Sequence, residues 1–255
     1  EQEVPFYQKW KQTVKLKLLE VCMISLQAKL LTMNKKHFLM AALSFMLLLP
    51  SLSKAQESDL GNWLIYIGSK KLEGKWNLHN EIQYRNYDAI GDLEQLLLRT
   101  GIGYNLSENN NNLLLGYGFI KSENYAANGL DKITVNEHRI FQQFTSKQKV
   151  GKLSLTHRYR FEQRFVEDDF KARFRYFLAF KLPFKGTEEA PSKYYLSAYN
   201  EFFLNTKSSV FDRNRVYGGL GYQLNKNVRL EAGYMNQFFE SGGRDQINLI
   251  TFVNF

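Results

Sequence analysis

The sequence predicts an all-β fold: a transmembrane, antiparallel up-and-down β-barrel of about ten strands, with twelve as the alternative. Three observations predict it. Long segments alternate apolar with polar residues, turn-forming stretches recur between them, and the last strand ends the chain on an aromatic residue. Successive side chains of a strand point to opposite faces, so each such segment has one apolar and one polar face.

In chain order, residues 1–32 read as an upstream extension outside the native product. Met33 then opens MNKKHFLMAALSFMLLLPSLSKAQ, with Lys35 and Lys36, an apolar run from Phe38 to Leu49, and small residues Ser53 and Ala55 before Gln56. This is the pattern of a secretory signal peptide over 33–55, cleaved between Ala55 and Gln56. The run is too short for a spanning helix, which needs about 20 apolar residues. A signal peptide works from an N-terminus, so Met33, or Met23 with a longer basic segment, is the expected start. Residues 56–255 are then the barrel. The formal charge of +9 shrinks to about +4 without residues 1–55, which hold eight Lys and three acids. That balance calls for no nucleic-acid partner. The single cysteine, Cys22, lies upstream, so no disulfide is expected in the exported chain.

Alternating segments cover 75–87, 93–106, 112–122, 134–146, 152–165, 170–184, 193–205, 212–224, 227–239 and 246–255. In the first, Trp76, Leu78, Ile82 and Tyr84 oppose Asn77, His79, Glu81, Gln83 and Arg85. Most exceed the five or six residues usual in soluble sheets. Residues 107–111, 146–151, 185–191 and 225–226 would turn at one end. Residues 88–92, 123–133, 166–169, 206–211 and 240–245 would turn at the other. The 20 Phe and 15 Tyr often fall at strand ends on the apolar face, as at Tyr84, Tyr104, Phe165, Tyr222 and Phe255, where interfacial girdles belong. Residues 57–69 also look like a strand. Barrels of this class have even strand numbers, so this segment is expected to be periplasmic or lumenal instead. The pairs Gly101/Gly103, Gly116/Gly118 and Gly219/Gly221 are inward residues that relieve crowding. The closing QINLITFVNF, with Leu249, Val253 and terminal Phe255 on one face, resembles the assembly signal of Gram-negative outer-membrane barrels.

The polar face fills the interior. It carries Arg85, Arg99, Arg139, Arg158, Arg160, Arg164, Arg173, Arg175, Arg213, Arg215 and Arg229 against Glu81, Glu137, Glu162, Glu201 and Glu231. The planar guanidinium suits bidentate pairing with carboxylates in a confined space. Glu137, Arg139 and Gln143 share a face with Arg158, Arg160 and Glu162 of the next strand, so a cross-strand polar ladder is expected. Two readings stay open: a lumen plugged by an Arg–Glu network, or a narrow path or site for anions and acidic ligands.

The segments NEHRIFQQ (136–143), HRYRFEQRF (157–165) and NEFF (200–203) resemble motifs of the domain-of-unknown-function 2490 family of predicted outer-membrane barrels. The resemblance spans most of 57–255. It implies the fold and the outer-membrane location, and transfers no catalytic residues.

Catalysis finds little support. By hairpin register His138 and His157 are expected near each other on the apolar face, which makes a lipid-modifying hydrolase the alternative function, although no Ser or Thr shares their face. Glu167, Asp168 and Asp169, like Asp88 and Asp92, cluster in outer loops without a His, and no metal-ligand spacing appears. A soluble barrel would need a polar outer face, which Trp76, Leu98, Leu115, Phe174, Leu220 and Phe255 contradict. The expectation is therefore a monomer in the cell outer membrane with no cofactor. Its partners would be membrane lipid, lipopolysaccharide and the barrel-assembly machinery. Its role would be structural, or transport or binding of anions through the Arg-rich lumen.

Overall fold

The computed structural model describes residues 60–89, 91–107, 110–187, 192–207 and 209–255. The upstream extension, the signal peptide, its cleavage point at Ala55 and Gln56, and part of the 185–191 turn lie outside the described residues. The alternating segments become β-strands of 11 to 19 residues: β1 (Gly61–Lys71), β2 (Trp76–Asn86), β3 (Leu93–Asn105), β4 (Asn111–Tyr125), β5 (Lys132–Val150), β6 (Leu153–Val166), β7 (Asp169–Pro183), β8 (Tyr194–Asn205), β9 (Phe211–Gln223), β10 (Val228–Phe239) and β11 (Gly242–Asn254). No helix among the described residues is long and apolar enough to cross a membrane.

Each strand pairs antiparallel with the next, and β1 closes the barrel against β11 in parallel, from Gly61 opposite Gln246 to Ser69 opposite Asn254. All ten expected strands are present, and the segment 57–69 needs a correction. Its described part forms β1, hydrogen-bonded on both edges. The parity argument assumed an antiparallel seam; a parallel seam lets an odd number close and leaves no free edge. The last backbone N–H, of Phe255, donates to the Ser69 carbonyl at 2.8 Å, so the C-terminus is held at the β1–β2 turn. We call this the C-terminal end; the chain enters β1 from the opposite, far end.

Turn chemistry follows from tight connections. Gly151, at φ 62°, begins the two-residue turn between β5 and β6, a left-handed conformation that glycine adopts without a Cβ penalty. Glu167 takes φ 48° between β6 and β7, where its carboxylate accepts from the Asn136 backbone N–H at 2.6 Å.

The barrel is inverted relative to a soluble domain. Leu98, Leu115, Phe174, Leu220 and Leu249 are outward and exposed, whereas Glu162, Arg160 and Glu201 are buried inside. The interior is narrow. A Cβ on Gly116 would collide with the Phe141 ring and one on Gly221 with the Tyr195 ring, which explains these inward glycines. Two β-bulges sit at the far end. Arg85 and Asn86 pair with Gln95 and Leu93, skipping Glu94; Phe203 and Leu204 pair with Arg213 and Phe211, skipping Asp212. An extra residue in one strand re-aims side chains locally, and each bulge here adds an acid.

Candidate functional site

The lumen is organised around three carboxylates within the four-strand stretch β5 to β8. Glu162 on β6 is fully buried, with Arg175 at 2.6 Å, Arg173 at 2.7 Å, Arg160 at 3.6 Å and Arg139 at 4.0 Å. Glu201 on β8 receives Arg175 at 2.6 Å, Arg158 at 2.7 Å and Arg215 at 3.7 Å. Glu137 on β5 accepts from Arg139 Nη2 at 2.8 Å and Arg164 Nη2 at 2.9 Å. Arg139 lies directly opposite Arg164, a like-charge pair that would repel without the carboxylate between them. Between β5 and β6, Gln143 faces Arg160 and accepts from its Nη2 at 2.6 Å, while Arg158 lies opposite Thr145 and reaches across to Glu201. Across the barrel, Glu81 binds Arg99 at 2.6 Å, and Glu231 accepts from Tyr195 Oη at 2.8 Å with Arg229 at 3.9 Å.

Sequence reasoning missed two acids, because alternation pointed them outward. Asp212, at its bulge, accepts from Arg173 Nη1 at 2.8 Å and from Arg213 at 3.2 Å. Glu94, at the other, pairs with Arg244 at 2.8 Å. A bulge leaves no reliable mark in a sequence read for period two. Arg85 is different in kind. It is buried, stacks over Trp63 at 3.6 Å, and donates to Gln83 and Gln95 at 2.6 and 2.7 Å, with no carboxylate among the described residues within ion-pair distance. Rim groups form a separate cluster at the far end. Lys132 and Tyr125 both donate to Asp92. Burial works to raise that carboxyl, and these bonds outweigh it, holding Asp92 below the usual carboxylate range.

Two cavities lie along the barrel axis. The larger, about 530 Å³, reaches the C-terminal end, and the smaller, about 70 Å³, lies toward the far end. Arg99, Arg175 and Arg215 line both, so the partition between them is one layer of guanidinium groups. The larger vestibule has unlike walls. Ile65 and Ile67 of β1 pair with Ile250 and Phe252 of β11, making an apolar wall along the parallel seam. Lys147 of β5, Ser154, Thr156 and Arg158 of β6, and Lys181 of β7 come from strands across the ring.

The expected proximity of His138 and His157 is overturned. His138 lies opposite Phe165 and His157 opposite Ser146. The two are eight residues apart along β6, on the order of 27 Å at about 3.4 Å per residue. Each bonds a tyrosine hydroxyl on the outer wall, His138 with Tyr117 at 2.6 Å and His157 with Tyr176 at 2.9 Å. No group of three His, Cys, Asp or Glu able to hold a metal occurs among the described residues.

The motifs that carry this network fall within a family match. Residues 60–248 match a family described as a protein of unknown function, DUF2490. The chain belongs to that family. It is also 30% identical over 166 residues to an uncharacterized protein of Methylorubrum extorquens, covering 62% of this chain and 69% of that protein. The DUF2490 match begins one residue before β1 and ends within β11, so it takes in β1 to β10 and the first half of β11 and stops short of Ile250 and Phe252.

Proposed function

We propose that this DUF2490 protein is an outer-membrane β-barrel with its C-terminal end in the periplasm, and that its lumen binds an acidic ligand instead of conducting ions freely. The observation that carries the membrane reading is the inversion: large apolar side chains outward, paired charges inward. Buried charge is tolerated where it is paired, and outward leucines and phenylalanines are favoured against hydrocarbon. The 33–55 signal pattern supports the same location.

The vestibule indicates the ligand. Its volume falls in the 300–1,000 Å³ range typical of small-molecule sites. The seam wall suits an apolar body. Lys147, Lys181 and Arg229 suit an acidic group, with Glu231 the nearby acid, itself engaged by Tyr195. An acid with an apolar part fits both walls. The guanidinium partition argues against an open pore.

The test is planar-bilayer conductance of the protein extracted from the outer-membrane fraction, with folding checked by a heat-dependent gel shift. The expected record is silence, or brief openings. Steady anion-selective current would refute the closed-lumen reading, and recovery in the soluble periplasmic fraction would refute the location.

A further inference from the structure

We propose that the small far-end cavity is a site for one tetrahedral oxyanion of the phosphate class. This deepens the reading that the lumen takes acidic ligands, and rests on it, but it concerns the other side of the partition. Among the described residues, eight arginines from six strands line this cavity with Gln95 and Phe203, and no carboxylate of theirs is in its wall. At about 70 Å³ it is far too small for the vestibule's ligand. Arg164 and Arg213, whose side chains are the more exposed, stand at its mouth, and Arg99 and Arg175 lie buried at its floor.

Charge counting shows why an anion belongs there. The carboxylates that touch these eight arginines are Glu81, Glu137, Glu162, Glu201 and Asp212, leaving three positive charges over. Most of the eight have a carboxylate at hydrogen-bond distance. Arg85 has two glutamine oxygens instead, and uses three of its five N–H groups on them. The Nε of Arg99 is buried with no acceptor among the described residues. A buried cation without a counter-charge is costly, and removing that cost is what a bound anion does. Arginine forks match the oxygens of phosphate or sulfate bidentately. Water could satisfy the N–H groups but would leave the charge unbalanced.

Trp63 supplies the reporter, since the Arg85 guanidinium stacks on it at 3.6 Å and that of Arg215 lies 4.8 Å from it. In the full-length chain, Trp10→Phe and Trp76→Phe leave Trp63 as the one tryptophan. Its fluorescence is titrated in a non-ionic detergent, because a phosphocholine head would compete. Inorganic phosphate and sulfate should give a saturable change that chloride at matched ionic strength does not. Arg85→Gln should weaken the apparent affinity about tenfold or more, the scale of one lost charge-assisted bond. Arg85→Lys, which keeps the charge, guards against a folding defect and should weaken it less. Dodecyl phosphate is titrated in parallel. Tighter binding than inorganic phosphate assigns the site to a lipid-borne head group, and equal or weaker binding assigns it to the free ion. No saturable response to either probe, a response matched by chloride, or full affinity in Arg85→Gln overturns the proposal. Because phosphate is too small to need the vestibule, silence here alongside vestibule binding of an apolar acid would sink this site alone. A phosphate response from a steadily conducting barrel would sink the closed-lumen reading alone.

Discussion

Replacing Glu162 with Gln keeps the side-chain shape and removes its charge. Glu162 holds Arg175 and Arg173 at 2.6 and 2.7 Å, and Arg160 and Arg139 are within 4.0 Å. Neither close arginine is orphaned by the change, since Arg173 keeps Asp212 at 2.8 Å and Arg175 keeps Glu201 at 2.6 Å. What is lost is the charge on three hydrogen bonds from two arginines, where a charge-assisted bond is worth about 1.5–3 kcal/mol, together with the screening of four guanidinium groups from one another. In a dry lumen, breaking a buried pair costs about 3–5 kcal/mol. In a lumen filled with mobile water, a pair at about 4 Å is worth only ~1 kcal/mol. The plugged barrel therefore predicts a loss of about 3–5 kcal/mol, read from the urea dependence of folding into lipid vesicles by the heat-dependent gel shift. Arg173→Gln and the double variant close a cycle whose coupling should exceed about 1 kcal/mol. A loss below ~1 kcal/mol with no coupling would refute the reasoning, because it would mean that bulk-like water reaches the centre of the network.

Further expectations follow from other parts of the ring. Leu98→Arg, on the outward face of β3, should cost roughly 2–4 kcal/mol in the same vesicle assay if that face meets hydrocarbon, and a neutral result would mean that it does not. Gly116→Val places a side chain against the Phe141 ring and should lose about 1–3 kcal/mol by overpacking, measured the same way. Deleting Phe255 removes the bond to the Ser69 carbonyl and the terminal aromatic; the folded fraction in the outer membrane should drop, and an unchanged yield would dismiss the assembly signal. Asp92 titrates below the usual aspartate value of about 3.9. Its contribution is present above that value and fades as pH falls through the lower folded one. Limited proteolysis of the 87–92 and 126–131 loops should therefore speed up only below about pH 4.

Much of this was legible because a barrel with one apolar and one polar face writes them in period two. The ten segments from 75–87 to 246–255 became strands, and the inward arginines and glutamates read from alternation are inside. What alternation cannot register is where it breaks. Strict period two would put Glu94 and Asp212 outward, each one residue from an inward position, and only the pairing partner reveals that the strand has bulged. His138 and His157 failed for a related reason: the β5–β6 turn lies at Gly151 and Lys152, and β5 runs on to Val150, so the register slides the two rings apart. The parity rule failed on β1 because strand number constrains the seam only when the first and last strands are antiparallel. The arginine partition was beyond reach altogether, since it joins residues of β3, β7 and β9 that no local pattern connects.

The odd strand is also what gives the lumen its two characters. β1 brings Trp63, Ile65 and Ile67 inward, and parallel pairing sets Ile65 beside Ile250 and Ile67 beside Phe252. Without β1, the wall across from the Lys147, Arg158 and Lys181 side would lose Trp63, Ile65 and Ile67 and keep Ile250 and Phe252 of β11. The same strand anchors the far half, because the Trp63 ring meets the guanidinium groups of both Arg85 and Arg215, which come from β2 and β9. Parallel ladders are slightly weaker per residue than antiparallel ones. Stacking of a cation on an aromatic face contributes about 0.5–2 kcal/mol, more when desolvated. The seam that sequence parity argued against is thus tied into the lumen by Trp63, and the strand that closes the ring supplies both the vestibule's apolar wall and the ring on which Arg85 of the arginine pocket stacks.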